Sequence, residues 1–198
     1  LQLMRKYPHE QWRSSYAGAM GMPQFMPSNW MRYGVDFDQN GTIDLFRSDA
    51  DVIASVANYL SAFGWQSQMV THFDLNQNMA EISHLDDLLA NDIVPSFSAD
   101  QLQDHRVQLS QAAEEHSGKL AFIQLDNGDD APTYVLGTQN FYTITRYNWS
   151  SYYAMAVIEL AQAIATELGQ TTAWASPPHG RRGACAPRRP QRRWRLRS

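Results

Sequence analysis

Cysteine is almost missing from this chain: Cys185 is the only one among 198 residues. An internal disulfide and a cysteine-based zinc site are thereby excluded, and packing has to hold the fold together. No apolar run is long enough to cross a bilayer, and no signal-peptide pattern occurs. There is no Gly-x-Ser-x-Gly elbow, which sets aside the common serine-hydrolase arrangement. His9, His72, His84, His105, His116 and His179 are scattered without ligand spacing, so a catalytic zinc set is not indicated. Acidic residues vanish after position 170, where the stretch TTAWASPPHGRRGACAPRRPQRRWRLRS begins.

That tail distorts the charge. The formal net charge is −4, but the tail arginines 181, 182, 188, 189, 192, 193, 195 and 197 make up half of the 16 basic residues. Residues 1–180 carry 8 basic against 20 acidic groups, a balance of −12. Nucleic acid is therefore not an expected partner of the folded part. The tail lacks apolar periodicity and is expected to be disordered. The remainder, in a chain with 43% hydrophobic residues, is enough for one core and a small satellite lobe.

The densest information lies in Ser15-Tyr16-Ala17-Gly18-Ala19-Met20-Gly21-Met22-Pro23-Gln24-Phe25-Met26-Pro27-Ser28. Gly18, Gly21 and Pro23 forbid a continuous helix and allow a close backbone approach, and Gln24 offers a donor and an acceptor at fixed reach. Ser28 or Asn29 is a plausible cap for a short helix through Tyr33. Asp49 or Asp51 caps a longer one in which Val52, Ile53, Val56, Tyr59, Leu60 and Phe63 recur at helical spacing, ended by Gly64.

Farther along, Ile82 to Leu89 and Ala99 to Asp104 read as short helices. Two strand-like runs, 119–125 and 133–136, flank the turn Asn127-Gly128-Asp129-Asp130, and Phe141 to Tyr147 reads as a third extended segment. A last helix opens at Ser150 or Ser151, carries Ala154, Met155, Ile158, Ala161, Ile164 and Ala165 on one face, and stops at Gly169.

Asp36-Phe37-Asp38-Gln39-Asn40-Gly41-Thr42-Ile43-Asp44 follows the first nine positions of a calcium loop. Oxygen ligands alternate, glycine makes the sharp turn, Thr42 supplies its carbonyl, and Asp44 is placed to act directly or through water. The twelfth position departs from the pattern, with Arg47 where a glutamate closes the site. A single loop suits a structural ion better than a switch.

The blocks SSYAGAMGMPQFMPSNW, DFDQNGTIDLF, ADVIASVANYLSAFGW and QNFYTITRYNWSSYYAMAVIELAQAI resemble, in order and spacing, the catalytic domain of the lytic murein transglycosylase B family. They reach from about Ser14 to Leu168. The resemblance implies a lysozyme-like fold of α+β class, mainly α, with one EF-hand-like calcium loop and a small β-rich appendage. Residues 1–66 and 137–169 would form the transglycosylase core, 67–136 a small mixed region with a β-hairpin, and 170–198 the Arg/Pro-rich tail. The tail matches nothing in the family, and a frameshift or read-through accounts for it as well as a function does.

The implied activity is cleavage of the β-1,4 bond between N-acetylmuramyl and N-acetylglucosaminyl residues, leaving 1,6-anhydromuramyl ends. In such enzymes one glutamate protonates the bond and then acts as base, while the muramyl 6-hydroxyl attacks in place of water. That glutamate belongs to a motif upstream of the signature loop that does not occur here. Leu1-Gln2-Leu3-Met4 reads as the end of an amphipathic helix, so upstream sequence is expected. Glu10 does not match the motif, and Glu114, Glu115, Glu159 and Glu167 read as solvated residues, so no catalytic acid is assigned.

By motif position the resemblance places Ser15 and Gln24 against the glutamate and the sugar, with Tyr59, Asn140 and Tyr142 lining glycan subsites. Core packing is the competing account of Tyr59 and Tyr142. The loop pattern assigns Ca2+ to Asp36, Asp38, Asn40 and Thr42, and the resemblance implies Asp51 as closing ligand. Peptidoglycan glycan strands are the implied partner, the periplasm the implied compartment, a monomer the expected state, and any membrane anchor would lie in upstream sequence. Two rival readings are a non-catalytic peptidoglycan-binding module and a calcium-stabilised structural protein.

Overall fold

The computed structural model describes residues 13–170. The helix end expected at Leu1 to Tyr7, Glu10, Cys185 and the Arg/Pro-rich tail lie outside the described residues. In chain order the elements are α1 (Pro27–Tyr33), α2 (Asp49–Ala62), β1 (His72–Leu75), a 3-10 turn (Met79–Glu81), α3 (Leu85–Leu89), α4 (Ala99–Asp104), α5 (Gln111–Glu114), β2 (Ala121–Asn127), β3 (Asp130–Gly137), α6 (Gln139–Thr145) and α7 (Ser151–Glu167).

The three strands form one antiparallel sheet in the order β1-β3-β2, with Phe73 and Phe122 both opposite Leu136. Alternation along the strands sends side chains to two cores. Ala121, Ile123, Leu125 and Val135 pack on one face with Phe141 and Ile144 of α6 and Ala154 and Ile158 of α7. Phe122, Tyr134 and Leu136 pack on the other face with Leu88 of α3, Leu102 of α4 and Ala113 of α5. Covering both faces spares the short sheet the exposure that makes isolated hairpins marginal.

A third core gathers Met20 and Phe25 of the signature loop, Trp30 and Tyr33 of α1, Leu45, and Tyr59 of α2. It is strongly aromatic: Tyr59 lies 4.6 Å from Phe63, 5.1 Å from Tyr33 and 5.6 Å from Phe25, centroid to centroid. Tilted and edge-on pairs of this kind add about 0.5–1.5 kcal/mol each beyond buried area.

Five expectations need correction. The segment after Thr138 is not a strand but α6; the Thr138 hydroxyl accepts from Asn140 N at 3.1 Å and so caps a helix. The third strand is instead β1, only four residues long. In α2 the cap is Ser48, whose hydroxyl accepts from Asp51 N, because the Asp51 carboxylate is engaged by the acidic loop. The buried stripe of α2 runs through Asp51, Ser55 and Tyr59, whereas Ile53 is 69% exposed. Along α7 the expected face is buried at Ala154, Ile158 and Ala165, but Ile164 faces solvent. At α1, Pro27 occupies the first turn and Met26 the cap position without a side-chain bond, so neither Ser28 nor Asn29 caps it.

Candidate functional site

The signature loop folds into a compact knot because its glycines permit it. Bridges join Ser14 to Met20 and Met20 to Phe25. Gly21 takes φ +70°, and a β-carbon there would lie 2.5 Å from the carbonyl oxygen of Leu45, which accepts from Met22 N at 2.8 Å. Only glycine satisfies both conditions. Gln24 also sits in the left-handed region at φ 51°, a conformation that non-glycine residues hold at some cost where the surroundings demand it. Its Nε2 donates to Gly21 O at 2.9 Å, and Oε1 accepts no hydrogen bond among the described residues.

Gln24 lines two hollows. The larger, about 520 Å³, has Val56 and Leu60 of α2 on one wall and Tyr153 and Val157 of α7 on another; Ile144, Tyr147 and Asn148 close one end, and Met22 and Pro23 the loop side. The smaller, about 310 Å³, has Ser14, Ser15, Gly21 and Phe46 on its walls. The two hollows meet at Gln24: the larger has mostly apolar walls, and the smaller adds the polar side chains of Arg13, Ser14 and Ser15, a concave surface with a few convergent polar groups that suits a small polar ligand.

Ser15 is exposed, and its Oγ accepts from Ala19 N at 3.0 Å. Tyr142 is half-buried at the α6–α7 corner, edge-on to Trp149 at 5.9 Å. Tyr59 and Asn140, expected on a glycan-facing wall, are buried and line neither hollow. The Tyr59 hydroxyl donates to Arg146 O at 2.6 Å inside the aromatic core. The Asn140 amide accepts from Gln66 N at 2.8 Å and donates to Gln66 O and Met69 O at 2.7 and 2.8 Å, using its hydrogen-bonding capacity on the backbone. Both residues build the frame behind the cleft.

Two wall residues were missed in the sequence: Tyr147 and Tyr153. Their rings stack at 6.4 Å with 13° between planes, and the Tyr147 hydroxyl donates to Pro23 O. Burial, then the phenols of Tyr153 and Tyr59, pushes the Tyr147 hydroxyl well above its ordinary pKa; burial raises Tyr153 as well. Both stay protonated donors. The signal was present in the aromatic density of YTITRYNWSSYY at 142–153, which periodicity alone does not sort into wall and core.

The acidic loop folds onto α2. The Asp51 carboxylate, fully buried, accepts from Phe37 N at 2.8 Å and from Asp44 N at 2.9 Å. Asp36 accepts from Asn40 N and Gly41 N. Carboxylate oxygens of Asp36, Asp38 and Asp51 come within 4.8 Å of one another. The Asn40 Oδ1 accepts from Thr42 N at 2.9 Å and from its hydroxyl at 2.7 Å, while Asp44 caps the turn at Phe46 and Arg47.

Residues 1–162 match the family described as Transglycosylase SLT domain. Over 154 residues the chain is 40% identical to the membrane-bound lytic murein transglycosylase B of Escherichia coli (strain K12), covering 77% of this chain and 40% of that protein. Among solved structures, the Escherichia coli lytic transglycosylase Slt35 in complex with calcium superposes with a TM-score of 0.72 at 36% identity, over 85% of this chain and 52% of that one. The soluble lytic transglycosylase SltB1 from Pseudomonas aeruginosa gives 0.72 at 34% identity, over 85% and 55%. The chain thus spans about half the length, or less, of the relatives it matches. With a lysozyme-like arrangement of helices around a small sheet, it belongs to the transglycosylase SLT domain family.

Proposed function

We propose that this chain supplies the glycan-binding cleft of a periplasmic peptidoglycan lytic transglycosylase, which cuts the β-1,4 bond after N-acetylmuramyl residues and leaves 1,6-anhydromuramyl ends. The observation that carries this reading is Gln24, held at positive φ at the waist of a two-part cleft with its Oε1 unengaged. An amide oxygen so placed suits an acetamido N–H or a sugar hydroxyl. Tyr147 and Tyr153 offer apolar faces to sugar rings, and Ser15 stands in the second hollow.

Glycosidic cleavage requires a carboxylic acid kept neutral by apolar surroundings. Glu81, Glu114, Glu115, Glu159 and Glu167, the glutamates among the described residues, are all exposed. We place the acid outside residues 13–170; the cleft then orients the strand while the acid delivers and recovers the proton. Within this reading, residues 1–66 and 137–169 form the transglycosylase core, with 67–136 as its appendage.

Calcium fits the acidic loop. Three carboxylates, one wholly buried, crowd within 4.8 Å, a costly arrangement that a divalent cation relieves. Asp36, Asp38 and Asp51 would hold the ion, with Asn40 and Thr42 joining once Asn40 Oδ1 turns away from Thr42. The ion would tie the loop to α2 and take no part in proton transfer.

Incubation of the chain with peptidoglycan and calcium, read by mass spectrometry and by cosedimentation, tests the reading. Retention on peptidoglycan without 1,6-anhydromuropeptides is the expected result for the cleft without its acid. Release of such products would place an acid within this chain, with Glu10 the first to mutate. Failure to bind any glycan would overturn the proposal.

A further inference from the structure

We propose that Arg146, whose guanidinium lies over the rings of Phe63, Tyr142 and Trp149 beside the cleft-lining residues Tyr147 and Asn148, recognises a carboxylate carried by the peptidoglycan strand. This rests on the glycan-binding reading above and names a substrate feature that the same site selects.

The guanidinium carbon lies 5.4 Å from the Phe63 ring centre and 5.7 Å from those of Tyr142 and Trp149. Its Nη1 donates to the Tyr142 hydroxyl at 3.3 Å, a long bond. The backbone beneath is fixed: Arg146 N donates to the carbonyls of Tyr142 and Thr143, and its own carbonyl accepts the Tyr59 hydroxyl. Three rings thus hold a side chain that would otherwise sample many rotamers, and a preorganised guanidinium loses less entropy on pairing.

The side chain is nevertheless exposed, and Trp149 is 53% exposed. Among the described residues no carboxylate forms an ion pair with Arg146. Several basic side chains of this acidic molecule form no ion pair among the described residues; Arg146 differs from them in lying over three rings at once. With one long bond from Nη1 to the Tyr142 hydroxyl, the guanidinium keeps further N–H groups able to form the charge-assisted bonds that carboxylates favour.

The position is next to the cleft. Tyr147 and Asn148, between Arg146 and Trp149 in sequence, both line the larger hollow, as does Leu60, one turn before Phe63. Glycan strands of peptidoglycan carry carboxylates either on the lactyl group of muramic acid or on the stem peptide. A polymer of N-acetylglucosamine carries none. The Arg146 site would make this distinction.

Isothermal titration of the full 198-residue chain against three tetrasaccharides tests the proposal: chitotetraose, the alternating muramyl glycan with free lactyl carboxylates, and the same glycan bearing stem peptides. The wild-type chain is expected to bind one or both carboxylate-bearing ligands about tenfold more tightly than chitotetraose, in line with a charge-assisted hydrogen bond, and the preferred arm identifies the lactyl or the peptide carboxylate as the source. Arg146→Gln should erase that preference, Arg146→Lys should restore it only in part, and raised salt should weaken it. Trp149→Ala, at an exposed position, is the second variant and should reduce the same preference. Equal affinity of the wild-type chain for all three ligands, or an equal loss for all three in Arg146→Gln, would overturn the carboxylate site while leaving the glycan reading intact. Binding of none of the three would overturn both.

Discussion

The hydroxyl of Tyr147 donates to the carbonyl oxygen of Pro23, joining the corner between α6 and α7 to the loop that carries Gln24 across 124 residues of sequence. One bond therefore couples the end wall of the cleft to its polar waist. Tyr147→Phe keeps the ring stacked on Tyr153 and removes only this link, so stability should fall by about 1 kcal/mol. Affinity for glycan should fall more than stability suggests, because the Gln24 loop loses its anchor. Denaturant melts beside glycan titrations separate the two effects.

Gly21→Ala should be among the most damaging single-methyl changes in the chain. The new β-carbon would meet the backbone carbonyl of Leu45 at 2.5 Å, and φ +70° is disfavoured for any L side chain. A loss of roughly 2–4 kcal/mol is expected from the combined strain. Gly128→Ala, also at positive φ but with open space around its β-position, should cost only about 1 kcal/mol. Comparing the two melting temperatures checks the argument.

Asn140→Ala should behave as a core mutation although it removes only polar atoms. Gln66 N and Met69 O would lose their partner at a part-buried place, while Gln66 O would keep only the bond from Met69 N. Each orphaned group costs about 1–3 kcal/mol where water cannot enter. Urea denaturation should show a loss of about 2–4 kcal/mol, with Asn140→Asp little better, since a carboxylate cannot donate to the two carbonyls.

Calcium should raise the melting temperature, and chelation should lower it. At a hundredfold excess over the dissociation constant, the stabilisation is about 2.7 kcal/mol. Asp38→Ala, at an exposed position, should abolish the calcium-dependent rise with little change in the metal-free melt. Asp51→Asn should lower the metal-free melt as well, because the buried carboxylate accepts from Phe37 N and Asp44 N. A melting temperature indifferent to calcium in the wild-type chain would remove the ion from this account.

His116 should give the appendage a weakness to mild acid. Its Nε2 is buried without a hydrogen-bond partner, the ring meets Phe73 edge-on at 5.7 Å, and burial lowers its pKa from 6.5. The unfolded chain then takes up a proton at a pH where the folded one does not. Stability is therefore complete above pH 6.5 and declines as pH falls below it toward the lowered folded value. His116→Phe should flatten this part of the stability profile, as measured by urea midpoints between pH 7 and 5.

Much of this architecture can be read in the chain, and the exceptions have physical causes. Gly18, Gly21 and Pro23 announce a loop that no regular element tolerates, and Asn127-Gly128 announces the hairpin. The helix from Gln139 to Thr145 was hidden because Phe141, Tyr142, Thr143, Ile144 and Thr145 are residues with strand propensity. The Thr138 cap and the buried amide of Asn140 overrule that propensity, and only tertiary structure shows where the amide goes. Tyr59 has the same composition in a sugar platform and in an aromatic core; its hydroxyl, bonded to the carbonyl of Arg146, decides for the core. In α2 the aliphatic spacing pointed toward Ile53, but the helix turns to bury Asp51 and Ser55. Those polar residues receive backbone N–H groups from Phe37, Asp44 and Val35, a demand that hydrophobic periodicity does not record.

The threonine that caps α6 has another effect. Its hydroxyl donates toward the carbonyls of Val70 and Thr71, and its N–H donates to Thr71 O, so positions 70 and 138 lie side by side. Everything between them is an excursion that returns to its starting point. Growth or trimming at the Gly128 turn would leave α2 and α6 at the same separation, and the cleft walls with them, provided Ile123, Leu125 and Val135 still meet α6 and α7. Descendants of this scaffold can therefore vary the Gly128 turn while the cleft walls keep their separation.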